Sequence, residues 1–154
     1  MDHNASTIIE LLRPSYLAEG LSEDDLTAMA EIADCEDVAS GATVVRLGDR
    51  DADLYVLVRG RVTILGSNRE FVVSIRPRSI IGEIALLDAR PRSATAVADE
   101  DSTLIRIPAA ELRHLMDERP LMAGAILRNL GRVLCERLRA SNLQMAVLQS
   151  IVEG

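Results

Sequence analysis

Residues 81–97 read Ile81-Gly-Glu-Ile-Ala-Leu-Leu-Asp-Ala-Arg-Pro-Arg-Ser-Ala-Thr-Ala-Val97, and this stretch decides how the rest of the chain is read. Gly82 frees the backbone for a close approach to a ligand. Glu83-Ile-Ala-Leu-Leu87 is long enough for one short helical turn, whose first N–H groups have no partner within the turn and point at an anion. Asp88-Ala-Arg-Pro reads as a loop. Arg92 then opens a strand-like run, Ser93-Ala-Thr-Ala-Val97. The pieces are a carboxylate able to accept hydroxyl hydrogens, a cluster of N–H donors, and a guanidinium nine residues later. A guanidinium donates two parallel hydrogen bonds to one phosphate, which an ammonium does not. A ligand with one phosphate charge and a free hydroxyl beside it satisfies all three groups.

The flanking sequence changes period on either side. Upstream, Ile8, Ile9, Leu11 and Leu12 recur at helical spacing until Pro14, and Ser22-Glu-Asp-Asp is a cap followed by a first turn of acids, so residues 6–34 read as helices. From residue 42 short β-branched runs take over: Thr43-Val-Val-Arg46, Asp53-Leu-Tyr-Val-Leu-Val58, Arg61-Val-Thr-Ile-Leu65, Glu70-Phe-Val-Val-Ser-Ile75 and Thr103-Leu-Ile-Arg-Ile107. Glycine-bearing turns separate them, and strands so spaced predict a sandwich or jelly-roll barrel. Val58-Arg-Gly-Arg-Val62 reads as a tight hairpin with Gly60 at positive φ.

Downstream, Pro108 and Pro120 each open a helix, and no proline interrupts the chain from there to Val152. This last helix has two apolar faces. Ile126, Leu130 and Val133 face the barrel. Leu127, Gly131, Leu134, Leu138, Ser141, Met145, Leu148 and Val152 form a heptad seam suited to a homodimer.

Composition narrows the function. The 154 residues carry a formal charge of −7, with all 17 bases arginine. Residues 1–37 hold ten acids and one arginine, a local −9; the rest hold fourteen acids and sixteen arginines, a local +2. That balance disfavours a polynucleotide partner, and Tyr16, Tyr55 and Phe71 are too few to stack a single strand. No apolar run approaches the ~18 residues of a membrane span, and the first residues lack a signal peptide, so the expected compartment is the cytoplasm. Cys35 and Cys135 read as two buried reduced thiols. His3 and His114 are isolated, and neither a catalytic triad nor a metal-ligand spacing is present, so the chain reads as a non-enzyme without a metal or cofactor.

The 81–97 stretch resembles the phosphate-binding cassette of the cyclic nucleotide-binding domain family, which includes the catabolite activator protein and the regulatory subunits of cAMP-dependent protein kinase. The resemblance extends to Arg46-Leu-Gly-Asp49, Asp53–Val62 and the two closing helices. It also separates two copies of Arg-Pro-Arg-Ser, at 76–79 and 90–93. Only the second follows a Gly-Glu turn, which leaves Arg76 and Arg78 as an exposed turn between strands.

The resemblance implies an α+β fold, mainly β: one domain over 1–154, with an N-terminal helical segment (1–40), a jelly-roll barrel (41–108) and C-terminal helices (109–154), of which 120–152 dimerise. It implies that Glu83 accepts a hydrogen bond from the ribose 2′-hydroxyl. Arg92 pairs with the cyclic phosphate, helped by Ser93 and the amides of Ile84 and Ala85, with Gly82 and Ala94 alongside. Ile81 stands where many members have Phe and keeps an apolar wall. The base contact falls at Arg137-Leu138, where Arg137 either meets the purine or is a solvated charge beside Glu136.

The implied ligand is cAMP, with cGMP second because Ser93 also suits guanine. The alternatives are an interaction module in which Glu83 and Arg92 form a plain salt bridge, and a sensor of another cyclic nucleotide. Many bacterial relatives continue into a helix-turn-helix domain; the sequence given stops at Gly154, so no direct DNA contact is expected from a chain that is either a free-standing sensor or part of a longer regulator.

Overall fold

The computed structural model describes residues 4–153. Helix α1 (Ala5–Leu12) is capped by the Asn4 side chain and ends before Pro14. Helix α2 (Glu23–Ile32) carries a reciprocal capping box between Ser22 and Asp25, with Glu23, Asp24 and Asp25 at its positive end. The acids that make the N-terminal segment so negative thus include those that start a helix.

Eight strands follow: β1 (Asp34–Val38), β2 (Thr43–Val45), β3 (Leu54–Arg59), β4 (Val62–Leu65), β5 (Phe71–Ile75), β6 (Ile80–Ile81), β7 (Thr95–Ala98) and β8 (Ser102–Ile107). They make two four-stranded antiparallel sheets, ordered β1-β8-β3-β6 and β2-β7-β4-β5. The two sheets are not hydrogen-bonded into a closed barrel, which corrects the barrel expectation to an open two-sheet jelly roll. Helix α3 (Glu83–Asp88) lies between β6 and β7, and α4 (Ala109–Glu118) and α5 (Pro120–Glu153) complete the chain.

Alternation along β3 and β8 explains the layering. Tyr55, Leu57 and Leu104 join Val45, Val62, Ile75, Ile81 and Ala96 in the core between the sheets. Their sequence neighbours Leu54, Val56, Ile105 and Ile107 face the other way and pack with Leu12, Met29, Leu112, Ile126, Leu130 and Val133 of the helices. A sheet buried on both faces needs strands with consecutive apolar residues, as in Leu54–Val58 of β3 and Leu104-Ile105 of β8.

Residues 34–38 form β1 rather than the end of a helical segment, pairing with β8 from Asp34↔Arg106 to Val38↔Ser102. The run after Arg92 becomes a strand only at Thr95; Arg92–Ala94 is loop. Gly60 has φ +102° as expected, but its turn carries the chain from one sheet to the other instead of closing a hairpin. A Cβ there would sit 2.7 Å from Ser102 Cα, so the crossing is pressed against β8. Both cysteines are free, but Cys35 is half-buried and Cys135 exposed, because α5 beyond Val133 has little of the fold to pack on. Burial pushes the Cys35 thiol above the ordinary thiol range, with Asp37 and Glu36 adding to the effect. Among the described residues no helix is long and apolar enough to cross a membrane.

Candidate functional site

The site is built where β6 turns into α3. Gly82 caps α3 with φ +91° and no side-chain cap. A Cβ at Gly82 would lie 2.4 Å from Arg92 Nη1 and 2.9 Å from the Asp53 carbonyl oxygen. Glycine is needed there for its conformation and again for the close approach of Arg92. Backbone bonds fix Arg92 against the preceding turn: its N–H donates to the Asp49 carbonyl at 2.7 Å and its carbonyl accepts from Gly48 at 2.9 Å.

The Arg92 side chain is 3% exposed. Nη1 donates to the Gly82 carbonyl at 3.1 Å, and Nη2 donates to the Asp53 carbonyl at 2.7 Å and to Asp51 Oδ1 at 2.6 Å. Nε is buried and has no hydrogen-bond partner among the described residues. A buried donor left unpaired costs ~1–3 kcal/mol, which an acceptor entering the cavity would relieve.

Glu83 is buried as well. Its carboxylate does not meet Arg92, so the plain Glu83–Arg92 salt bridge does not form. Arg137 of α5 holds it instead through Nη1, while Nη2 donates to Ser79 Oγ at 3.2 Å and to the Ile80 carbonyl. Arg137 is therefore not a solvated charge: it ties α5 to β6 and α3 and lines the same cavity.

Arg106 braces the neighbouring loop. It donates to Asp34, Glu36 and Asp53 at 2.9–3.0 Å, and Asp53 Oδ1 accepts from the Ala109 amide at 2.9 Å. The hydrogen bond to Asp53 is the largest of the effects that push the Arg106 guanidinium further above its ordinary value. Asp53 thus fixes α4 and, through its carbonyl, Arg92. Tyr55, beneath the loop, has its phenol pushed up first by burial and then by Glu36, Asp51 and Asp53, with Arg92 opposing.

These groups surround a cavity of about 600 Å³, within the roughly 300–1,000 Å³ of small-molecule sites. All ten residues expected at the ligand line it: Ile81, Gly82, Glu83, Ile84, Ala85, Arg92, Ser93, Ala94, Arg137 and Leu138. Sequence reasoning missed the opposite wall, Val45, Ile64, Phe71, Val72 and Val73, and on α5 it missed Ala140, Ser141 and Gln144. Ser141 and Gln144 lie four and seven residues after Arg137, so helical spacing places them on its face. The cavity offers a buried guanidinium and a buried carboxylate on one side and apolar strands on the other. That suits a small molecule with an anionic end and a flat, largely apolar body.

The seam residues divide. Leu134 and Leu138 line the cavity, as does Ser141. Leu127, Met145, Leu148 and Val152 are exposed. Gly131 has open space at its Cβ position.

The sequence profile of the family described as Cyclic nucleotide-binding domain matches residues 35–119. The chain is 30% identical over 134 residues to Glutaminase 1 of Bradyrhizobium diazoefficiens, a match that covers 87% of this chain and 22% of that protein. It is 29% identical over 141 residues to the Cyclic AMP receptor protein of Thermus thermophilus, covering 89% of this chain and 63% of the receptor. The chain thus spans about a fifth of the first relative and under two thirds of the second. In three dimensions it superposes on a cyclic nucleotide-binding domain from Methylobacillus flagellatus with a TM-score of 0.79 and 20% identity, covering 92% of this chain and 82% of that one, a likeness of fold.

Proposed function

The chain belongs to the cyclic nucleotide-binding domain family, a binding family rather than a catalytic one, and from its cavity we propose a regulatory module that binds cAMP, or cGMP as the second choice, and signals through α5 and a homodimer. One observation carries the reading. Arg92 is buried in the cavity wall with a partnerless Nε–H, beside a buried carboxylate. A cyclic phosphate supplies the missing acceptor, helped by Ser93 and the Ile84 and Ala85 amides. The ribose 2′-hydroxyl donates to Glu83. The base lies between the apolar strands and α5, where Arg137 and Leu138 meet it and Ser141 and Gln144 stand beside its edge.

The coupling follows from the Glu83–Arg137 pair. A ligand that hydrogen-bonds Glu83 changes the group on which Arg137 rests. The position of α5 and occupancy of the cavity then depend on each other, by differential affinity for the positions α5 takes. Leu127, Met145, Leu148 and Val152 give α5 an apolar face for a second copy, and a cytoplasmic location fits a diffusible nucleotide ligand.

A second reading has its own support. Arg92 and Glu83 already hold protein partners, Asp51 and Arg137, as a constitutive interaction module would require. Calorimetric titration with cAMP, cGMP and a cyclic dinucleotide, on protein stripped of copurified nucleotide, separates the two. Micromolar heats with a cyclic mononucleotide support the first reading; no heat with any of the three sinks it. For the dimer, sedimentation of Leu148→Asp beside the parent tests the seam without touching the cavity; an unchanged mass removes the seam.

A further inference from the structure

Asp51 belongs to the loop between β2 and β3, outside the family-like cassette, yet its carboxylate is the one acid on Arg92 among the described residues. A guanidinium grips a phosphate through two adjacent N–H groups. It uses one hydrogen from each Nη, or Nε–H with a hydrogen of Nη2. Either grip takes a hydrogen of Nη2. Both of those hydrogens are engaged, one by the Asp53 carbonyl at 2.7 Å and one by Asp51 Oδ1 at 2.6 Å. The Asp53 carbonyl is backbone at the start of β3 and its side chain is held by Arg106 and Ala109, so it does not yield. The Asp51 side chain is 43% exposed and rehydrates readily when it swings away.

We infer that Asp51 is a built-in competitor anion: it occupies Arg92, and a ligand's phosphate must displace it to be gripped with two hydrogen bonds. The inference rests on the reading in which Arg92 receives the phosphate. Asp51 then sets the affinity threshold and favours ligands whose anion displaces a carboxylate. A negative phosphate arriving beside Asp51 is also repelled by it, so removing the charge acts twice in one direction. An uncharged ligand gains nothing from that removal.

Asp51→Asn keeps one acceptor oxygen for Arg92 and removes the charge. Calorimetry compares cAMP and adenosine, which has no phosphate, on the parent, Asp51→Asn and Arg92→Ala. The expected result is about tenfold tighter cAMP binding by Asp51→Asn at low ionic strength, shrinking as salt is raised, with adenosine unchanged. If Arg92→Ala abolishes cAMP binding while Asp51→Asn binds no tighter than the parent, Asp51 is a positioning residue; the competitor role falls and the functional reading stands. If neither the parent nor Asp51→Asn binds cAMP, both fall.

Discussion

Replacing Arg137 by glutamine isolates the contact that ties the last helix to the cavity. The Glu83 side chain is 5% exposed and Arg137 21% exposed, and the substitution strips the carboxylate of its charge partner. Removing one member of a buried ion pair costs ~3–5 kcal/mol. The cavity lies against Glu83 and admits some water to it, so the expected cost is nearer about 2–3 kcal/mol. For a domain of this size each kcal/mol moves Tm by about 2–4 °C, which predicts a fall of roughly 4–12 °C. Thermal unfolding followed by circular dichroism at neutral pH and fixed protein concentration reads it. Glu83→Gln and the double variant complete a cycle. Because the residues touch, the double variant should lose less than the sum of the singles, with a coupling above about 1 kcal/mol. An Arg137→Gln protein within about 1 °C of the parent, or a coupling near zero, would show that α5 is not anchored through Glu83.

Other consequences are open to simple measurements. Gly82→Ala combines a φ of +91° with a Cβ 2.4 Å from Arg92 Nη1, so it should lower stability by ~2 kcal/mol or more and weaken cAMP binding; urea unfolding and titration read the two, and a neutral effect on both contradicts the packing. In thiol titration with a chromogenic disulfide near pH 8, Cys135 should react rapidly and Cys35 slowly, since Cys35 is half-buried with a raised pKa; two equally fast thiols contradict this. The Arg13 hydrogen bond holds Glu23 below the ordinary carboxylate range. Because that pKa is lowered in the fold, the stabilising contribution is full above the ordinary carboxylate pKa and is lost as pH falls through the lowered value. The Glu23 carboxyl resonance should titrate low in the parent and in the ordinary range in Arg13→Ala.

The cassette was legible because its groups are local: Gly82, Glu83 and Arg92 lie within eleven residues, and their chemistry needs no distant partner. The α5 face toward the sheets was legible from helical spacing alone. What stayed hidden depends on long-range pairing. β1 is Asp-Cys-Glu-Asp-Val, an acid-rich run that continues the acidic helical segment in appearance. It is a strand because β8 pairs with it and Arg106, seventy-two residues from Asp34, holds its acids. Arg137 was placed near the ligand, but its partner Glu83 lies 54 positions away with no local sign of the pairing. Asp51 sits 41 positions from Arg92 in a loop of mixed charges. The apolar wall from β4 and β5 was read as strand but not as cavity, since period-two patterning tells which residues share a face and not what that face meets.

Arg92 stands or falls as the receiver of the ligand phosphate. The direct measurement is the cAMP affinity of Arg92→Ala against the parent, by calorimetry on nucleotide-stripped protein whose fold is verified by circular dichroism. Leaving a buried phosphate unpaired costs ~2–5 kcal/mol, a loss of at least about thirtyfold and of thousands at the upper end. A folded Arg92→Ala protein that binds cAMP as tightly as the parent would contradict that role.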